Sequence, residues 1–111
     1  MSNSALDTFT ESTHAGWGEL TSDLVSTTRQ RLEDLLRAPP SEDWLARLHK
    51  DSPPRAELYR DAEHGFVLLA HTERHGLYRP PHDHGRSWVI YGVQRGEVEM
   101  RSYARIVDVR L

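Results

Sequence analysis

A chain of 111 residues, 37% hydrophobic and 28% charged, has the length and make-up of one small globular domain with a core of modest stability. Its net charge of -3, with both signs mixed along the chain, supplies no basic stripe and so argues against nucleic acid or a membrane surface as partner. The absence of cysteine excludes disulfides, thiolate metal sites and cysteine nucleophiles.

Residues 1–16 are rich in Ser, Thr and Asn, lack the apolar stretch of a signal peptide, and read as a flexible lead. No run approaches the roughly 18 apolar residues of a membrane span, so a cytoplasmic chain is expected. Over residues 17–37 the period becomes helical: Trp17, Leu20, Leu24, Thr28, Leu32, Leu35 and Leu36 recur every three or four positions as one apolar stripe. Pro39-Pro40 closes that helix. Ser41 then reads as an N-cap, with Glu42 and Asp43 in the first turn of a short second helix. Trp44, Leu45 and Leu48 form its buried side, and Pro53-Pro54 ends it.

After Pro54 the period changes to two. Residues 55–60 (RAELYR) alternate like a half-buried strand, 61–65 form a turn with Gly65 available for positive φ, and 66–70 (FVLLA) read as a buried strand. Residues 75–86 form a loop, 88–93 (WVIYGV) a strand, 94–96 a turn, 97–103 an alternating strand, and 106–111 the start of another. The expected organisation is a lead over 1–16, a helical segment over 17–52 and an antiparallel β domain over 53–111.

The chemistry concentrates at Pro80-Pro81-His82-Asp83-His84-Gly85. Histidines two apart share one face of an extended strand, as a pair of imidazole ligands to a first-row metal requires. Asp83 points to the opposite face and suits an ordering role. Gly76, five residues, His82, one residue, His84, then Val89 and, after six more, Gly96 follow the frame G-x5-H-x-H-x(3,4)-E-x6-G. That frame resembles the first motif of the cupin superfamily, with Val89 in place of the usual glutamate. The departure is similar to the cysteine dioxygenase branch, and PPHDHG, SWVIYG and GEVEM resemble its bacterial, predicted metal-dependent members over residues 17–106.

The resemblance implies a mainly β fold, a cupin-like double-stranded β-helix barrel with N-terminal helices. It further implies His82 and His84 as metal ligands, with Fe(II) first among metals and Ni, Mn or Zn as alternatives. The implied activity is oxygenation of a small-molecule substrate. Arg60, in a Tyr-Arg-Asp stretch, resembles the arginine that engages the substrate carboxylate in thiol dioxygenases, a role that suits a bidentate guanidinium. No histidine follows His84, so the family's third ligand has no counterpart here and the barrel is expected to be incomplete. The competing expectation is a truncated or degenerate, non-catalytic member that binds a small molecule or a partner. An open half-barrel would expose strand edges at 88–93 or 97–103, and hence favour a homo-oligomer.

Plainer readings stand beside these. His71 and His75 flank a turn rather than share a helix face, and His14, His49 and His64 read as surface residues. Trp88, Tyr91 and Met100 read as core, Trp17 and Trp44 as pins between helices and sheet, and Glu97 and Glu99 as one exposed strand face.

Overall fold

The computed structural model describes residues 4–73, 76 and 88–96. In chain order it holds α1 (Ala5–Gly16), α2 (Ser22–Leu36), α3 (Asp43–Asp51) and the antiparallel strands β1 (Arg55–Arg60) and β2 (Val67–His71). Among the described residues the chain is therefore mainly α, and the expected mainly β, cupin-like barrel is not its architecture. The physical reason lies in the core. Among the described residues, the buried hydrophobic side chains of Phe9, Leu24, Leu35, Ala38 and Leu45 all belong to helices or helix ends, whereas β2 is only half-buried.

The segment expected as a flexible lead forms α1. Ser4 caps it, its hydroxyl accepting the Asp7 backbone N–H at 3.0 Å, and Asp7 lies favourably in the first turn. An isolated helix of this length is marginal in water, so tertiary contacts must hold it. Phe9 and Thr13, one turn apart, are its buried residues. Glu42, just before α3, accepts the Ala5 N–H at 2.8 Å and the Trp44 indole N–H at 2.8 Å. That carboxylate occupies the positive end of the α1 dipole and joins the N-termini of two helices.

Helix α2 starts later than its apolar stripe suggests. The Thr21 hydroxyl accepts the Leu24 N–H at 3.1 Å and fixes the start, leaving Trp17 and Leu20 in the connection. Leu20 is accordingly 56% exposed. Helix α3 begins one residue beyond the expected cap: Glu42 stands at the N-cap, and Ser41 makes no cap. It ends at Ser52, which takes the left-handed conformation at φ 43°.

The hairpin matches the sequence pattern closely, with one irregularity. The register pairs Glu57 with Leu69 and Tyr59 with Leu68, so Leu58 is an extra residue in β1. Such a bulge shifts the alternation by one position. Leu58 and Tyr59 are consequently both half-buried, and Tyr59 faces inward where strict alternation would turn it out. The turn closes through Asp61 N–H to the Phe66 carbonyl and Gly65 N–H to the Asp61 carbonyl, both 2.9 Å, with Gly65 at φ 79°.

Residues 88–93, expected as a strand, keep a strand-like alternation at first: Trp88 and Ile90 are half-buried, Val89 and Tyr91 exposed. Among the described residues no strand pairs with them, and a strand needs a ladder partner and not merely a period. The segment instead rests on helical elements. Trp88 stacks on Trp17 at 5.3 Å, and a Cβ on Gly92 would stand 2.6 Å from the Leu36 side chain. Trp17 also meets Phe66 at 4.4 Å, so it does pin the helices to the hairpin. The expected elements at 97–103 and 106–111, with Met100, Glu97 and Glu99, lie outside the described residues.

Thr13 is 1% exposed and its hydroxyl has no hydrogen-bond partner. An unpaired buried hydroxyl costs on the order of 1 kcal/mol or more. Thr13→Val keeps the shape and removes the hydroxyl, so it is expected to raise unfolding stability by about 1 kcal/mol in a urea titration; an unchanged or lowered midpoint would contradict this account of the α1 packing.

Candidate functional site

Asp61 sits at the end of β1, 2% exposed, where the hairpin turn begins. Its Oδ1 accepts the Tyr59 hydroxyl at 2.7 Å and His14 Nδ1 at 2.7 Å, and its Oδ2 accepts the His64 backbone N–H at 2.7 Å. The β1 bulge makes the first bond available by turning Tyr59 inward. The second spans 47 positions in sequence and fastens the last turn of α1 to the hairpin.

An ionised carboxylate can only accept, so the proton between Asp61 and His14 sits on Nδ1. The other ring nitrogen, Nε2, then faces outward and lies 3.2 Å from Glu63 Oε2. His64 completes the group: its Nε2 is 4.0 Å from the same Glu63 oxygen, and its ring centroid lies 5.1 Å from that of His14. One ligand atom from each of His14, Glu63 and His64 falls within 4.8 Å of the others. His14 comes from α1, while Glu63 and His64 are consecutive turn residues placed by Asp61.

The ionisation behaviour follows from these contacts. Burial pushes the Asp61 carboxyl upward, but the bonds from Tyr59, His64 N–H and His14, with the charge of His14, outweigh it and hold the group at about 2, below its ordinary 3.8. His14 is raised above its ordinary 6.5, chiefly by its hydrogen bond to Asp61; burial opposes the shift, and the charges of Asp61 and Glu63 add to it. The bond to Asp61 also raises the Tyr59 phenol, with burial and the Asp61 charge acting in the same direction. Chemically, the arrangement is a carboxylate–imidazole pair whose free nitrogen opens onto a carboxylate and a second imidazole. That suits holding a proton or a cation.

His82 and His84 lie outside the described residues, as does His75. Arg60 ends β1 with its side chain 61% exposed, and its Nε donates to Glu57 Oε1 at 3.1 Å. His71 is exposed at the end of β2, and His49 Nε2 is 2.9 Å from the Gln94 side-chain oxygen. His14 and His64, expected as plain surface residues, instead belong to the Asp61 group. No local spacing signals that group, since its members come from a helix and a turn far apart in sequence. The nearest hint is the acidic Asp61 two residues after Tyr59. Among the described residues no helix is long and apolar enough to cross a membrane. Comparison with protein-family models, curated proteins and solved structures finds no match to this chain.

A pH dependence follows with a defined sign. Asp61, depressed on folding, contributes stability that is present above its unfolded value of 3.8 and lost as pH falls toward about 2. His14, raised on folding, contributes stability that is complete below 6.5 and lost as pH rises through its higher folded value. In chelator-treated buffer the urea midpoint is therefore expected to be highest between these limits and to fall on both sides. Asp61→Asn should lower the maximum and flatten both flanks; a variant profile parallel to wild type would rule out the pair as their source.

Proposed function

We propose that this chain is a metal-dependent oxidoreductase that oxygenates a small molecule, with Fe(II) bound by His82, His84 and a further ligand. One observation of the backbone supports the sequence frame. Both framing glycines, Gly76 and Gly96, take positive φ, at 78° and 91°. Side chains other than glycine enter that region at a cost, so the frame's glycines stand where the chain needs them. The donor chemistry fits as well: two neutral imidazoles suit first-row divalent metals, iron among them.

Bound iron would supply the activation of oxygen. The chain's own contribution would be to supply the two imidazoles and to orient the substrate. In this reading Arg60 exchanges Glu57, its present partner, for a substrate carboxylate, to which it offers its guanidinium. The proposal rests on the histidine frame and not on a barrel.

A second reading is association, favoured by the exposed apolar side chains of Val89, Tyr91 and Val93, at 43%, 55% and 45%. In it the segment meets the same segment of another copy. Sedimentation over a range of concentrations is expected to show self-association that Val89→Lys weakens; a monomer at every concentration removes this reading.

For the leading reading, anaerobic loading with Fe(II) is expected to give about one bound equivalent, with His82→Ala and His84→Ala each weakening binding by at least about tenfold. Oxygen uptake with a panel of small thiols should follow the iron content. Equal and negligible iron in wild type and both variants would defeat the proposal.

A further inference from the structure

The contact between His14 and Glu63 contains an unresolved demand. With its proton on Nδ1 and bonded to Asp61, a neutral His14 presents the lone pair of Nε2 to the Glu63 carboxylate at 3.2 Å. Two acceptors at that distance repel unless a positive charge lies between them. An added proton is one answer; a metal ion is the other, and the surroundings favour the second. His64 brings a third donor to the same point, 4.0 Å from the same Glu63 oxygen, a placement that a single proton between His14 and Glu63 does not call for.

We infer that His14 Nε2, Glu63 and His64 form a divalent-cation site of the zinc class, built from other residues than the His82–His84 pair of the proposed function. The donor set of two imidazoles and one carboxylate is one that Zn2+ takes with three protein ligands and a water. Ligand atoms about 2.1 Å from a tetrahedral zinc stand about 3.4 Å apart. The His14–Glu63 separation of 3.2 Å already meets that spacing, and the His64–Glu63 separation of 4.0 Å needs a small inward rotation of the His64 ring. Glu63 is 69% exposed and His64 25% exposed on their side chains, so both can adjust and the ion can enter from solvent.

Asp61 supplies the outer support that such sites use. A ligating histidine commonly donates its second N–H to a carboxylate, which fixes the ring and makes the ligating nitrogen more basic. Asp61 does this for His14 and also holds the His64 backbone, so one buried carboxylate positions two of the three ligands. The ion would bridge α1 to the hairpin turn, and its effect is a clamp: binding to the folded chain alone raises stability.

The test separates this site from the other histidines. In the His82→Ala/His84→Ala double variant, calorimetric titration with Zn2+ is expected to show about one equivalent bound and a raised thermal midpoint. Adding His64→Ala or Glu63→Gln, both at exposed positions, should weaken zinc binding at least about tenfold and remove the thermal gain. Asp61→Asn should weaken binding as well. The inference is overturned if the double variant binds no zinc, which leaves His14 as an imidazolium ion-paired to Glu63, or if the His64 and Glu63 variants bind zinc as the double variant does. Iron binding by the wild type, lost on removing His82 and His84, would leave the proposed function standing in either case.

Discussion

The Asp61 carboxylate accepts three hydrogen bonds from three different sources: a tyrosine two residues back, a backbone N–H three residues on, and a histidine in the first helix. Burying a charge is expensive unless it is paired and fully bonded. Here the donors surround it, and the carboxyl titrates at about 2 despite its burial. The arrangement of the hairpin relative to the helices depends on this group. The bulge at Leu58 that turns Tyr59 inward, the closure of the turn by Gly65 and the position of His14 at the end of α1 all converge on it.

A second constraint acts at the other end of α1. Glu42 takes the first N–H of α1 and the indole of Trp44, so the helix is held at its N-terminus by the start of α3 and at its C-terminus by the hairpin. Between these two carboxylates the helix packs Phe9 and Thr13 inward. This explains how a short helix with few large apolar residues is stable where its composition suggests a loose lead. Its ends are anchored by charge-assisted bonds, and the packing of its middle needs only two side chains.

The aromatic contacts extend the same joint. Trp17 leaves α1 and lies between Phe66 and Trp88, while Tyr59 touches Phe66 at 5.7 Å. Trp88 thereby brings the segment 88–96 against the helices, where Gly92 allows its backbone to approach Leu32 and Leu36. The segment's alternation, which suggests a strand, is met by packing on helices. Period two reports which side chains turn inward, and a partner strand is a separate requirement that sequence period does not contain.

The sequence by itself determined the local elements whose signals are local. The 3.6-residue stripe gave α2, Pro39-Pro40 its end, and RAELYR and the Asp61–Gly65 turn the hairpin, because periodicity, proline sterics and glycine φ act over a few residues. The Gly76-to-Gly96 histidine frame is likewise legible in the chain itself, and the proposed activity rests on it. Only the tertiary structure decided that the core of the described residues is helical, that residues 5–16 belong to it, and that His14, Glu63 and His64 meet around Asp61. The reason is the range of the forces involved. Burial of an apolar face, and of a charge with its donors, depends on which distant segment covers it, and a contact across 47 residues leaves no spacing in the chain by which to read it.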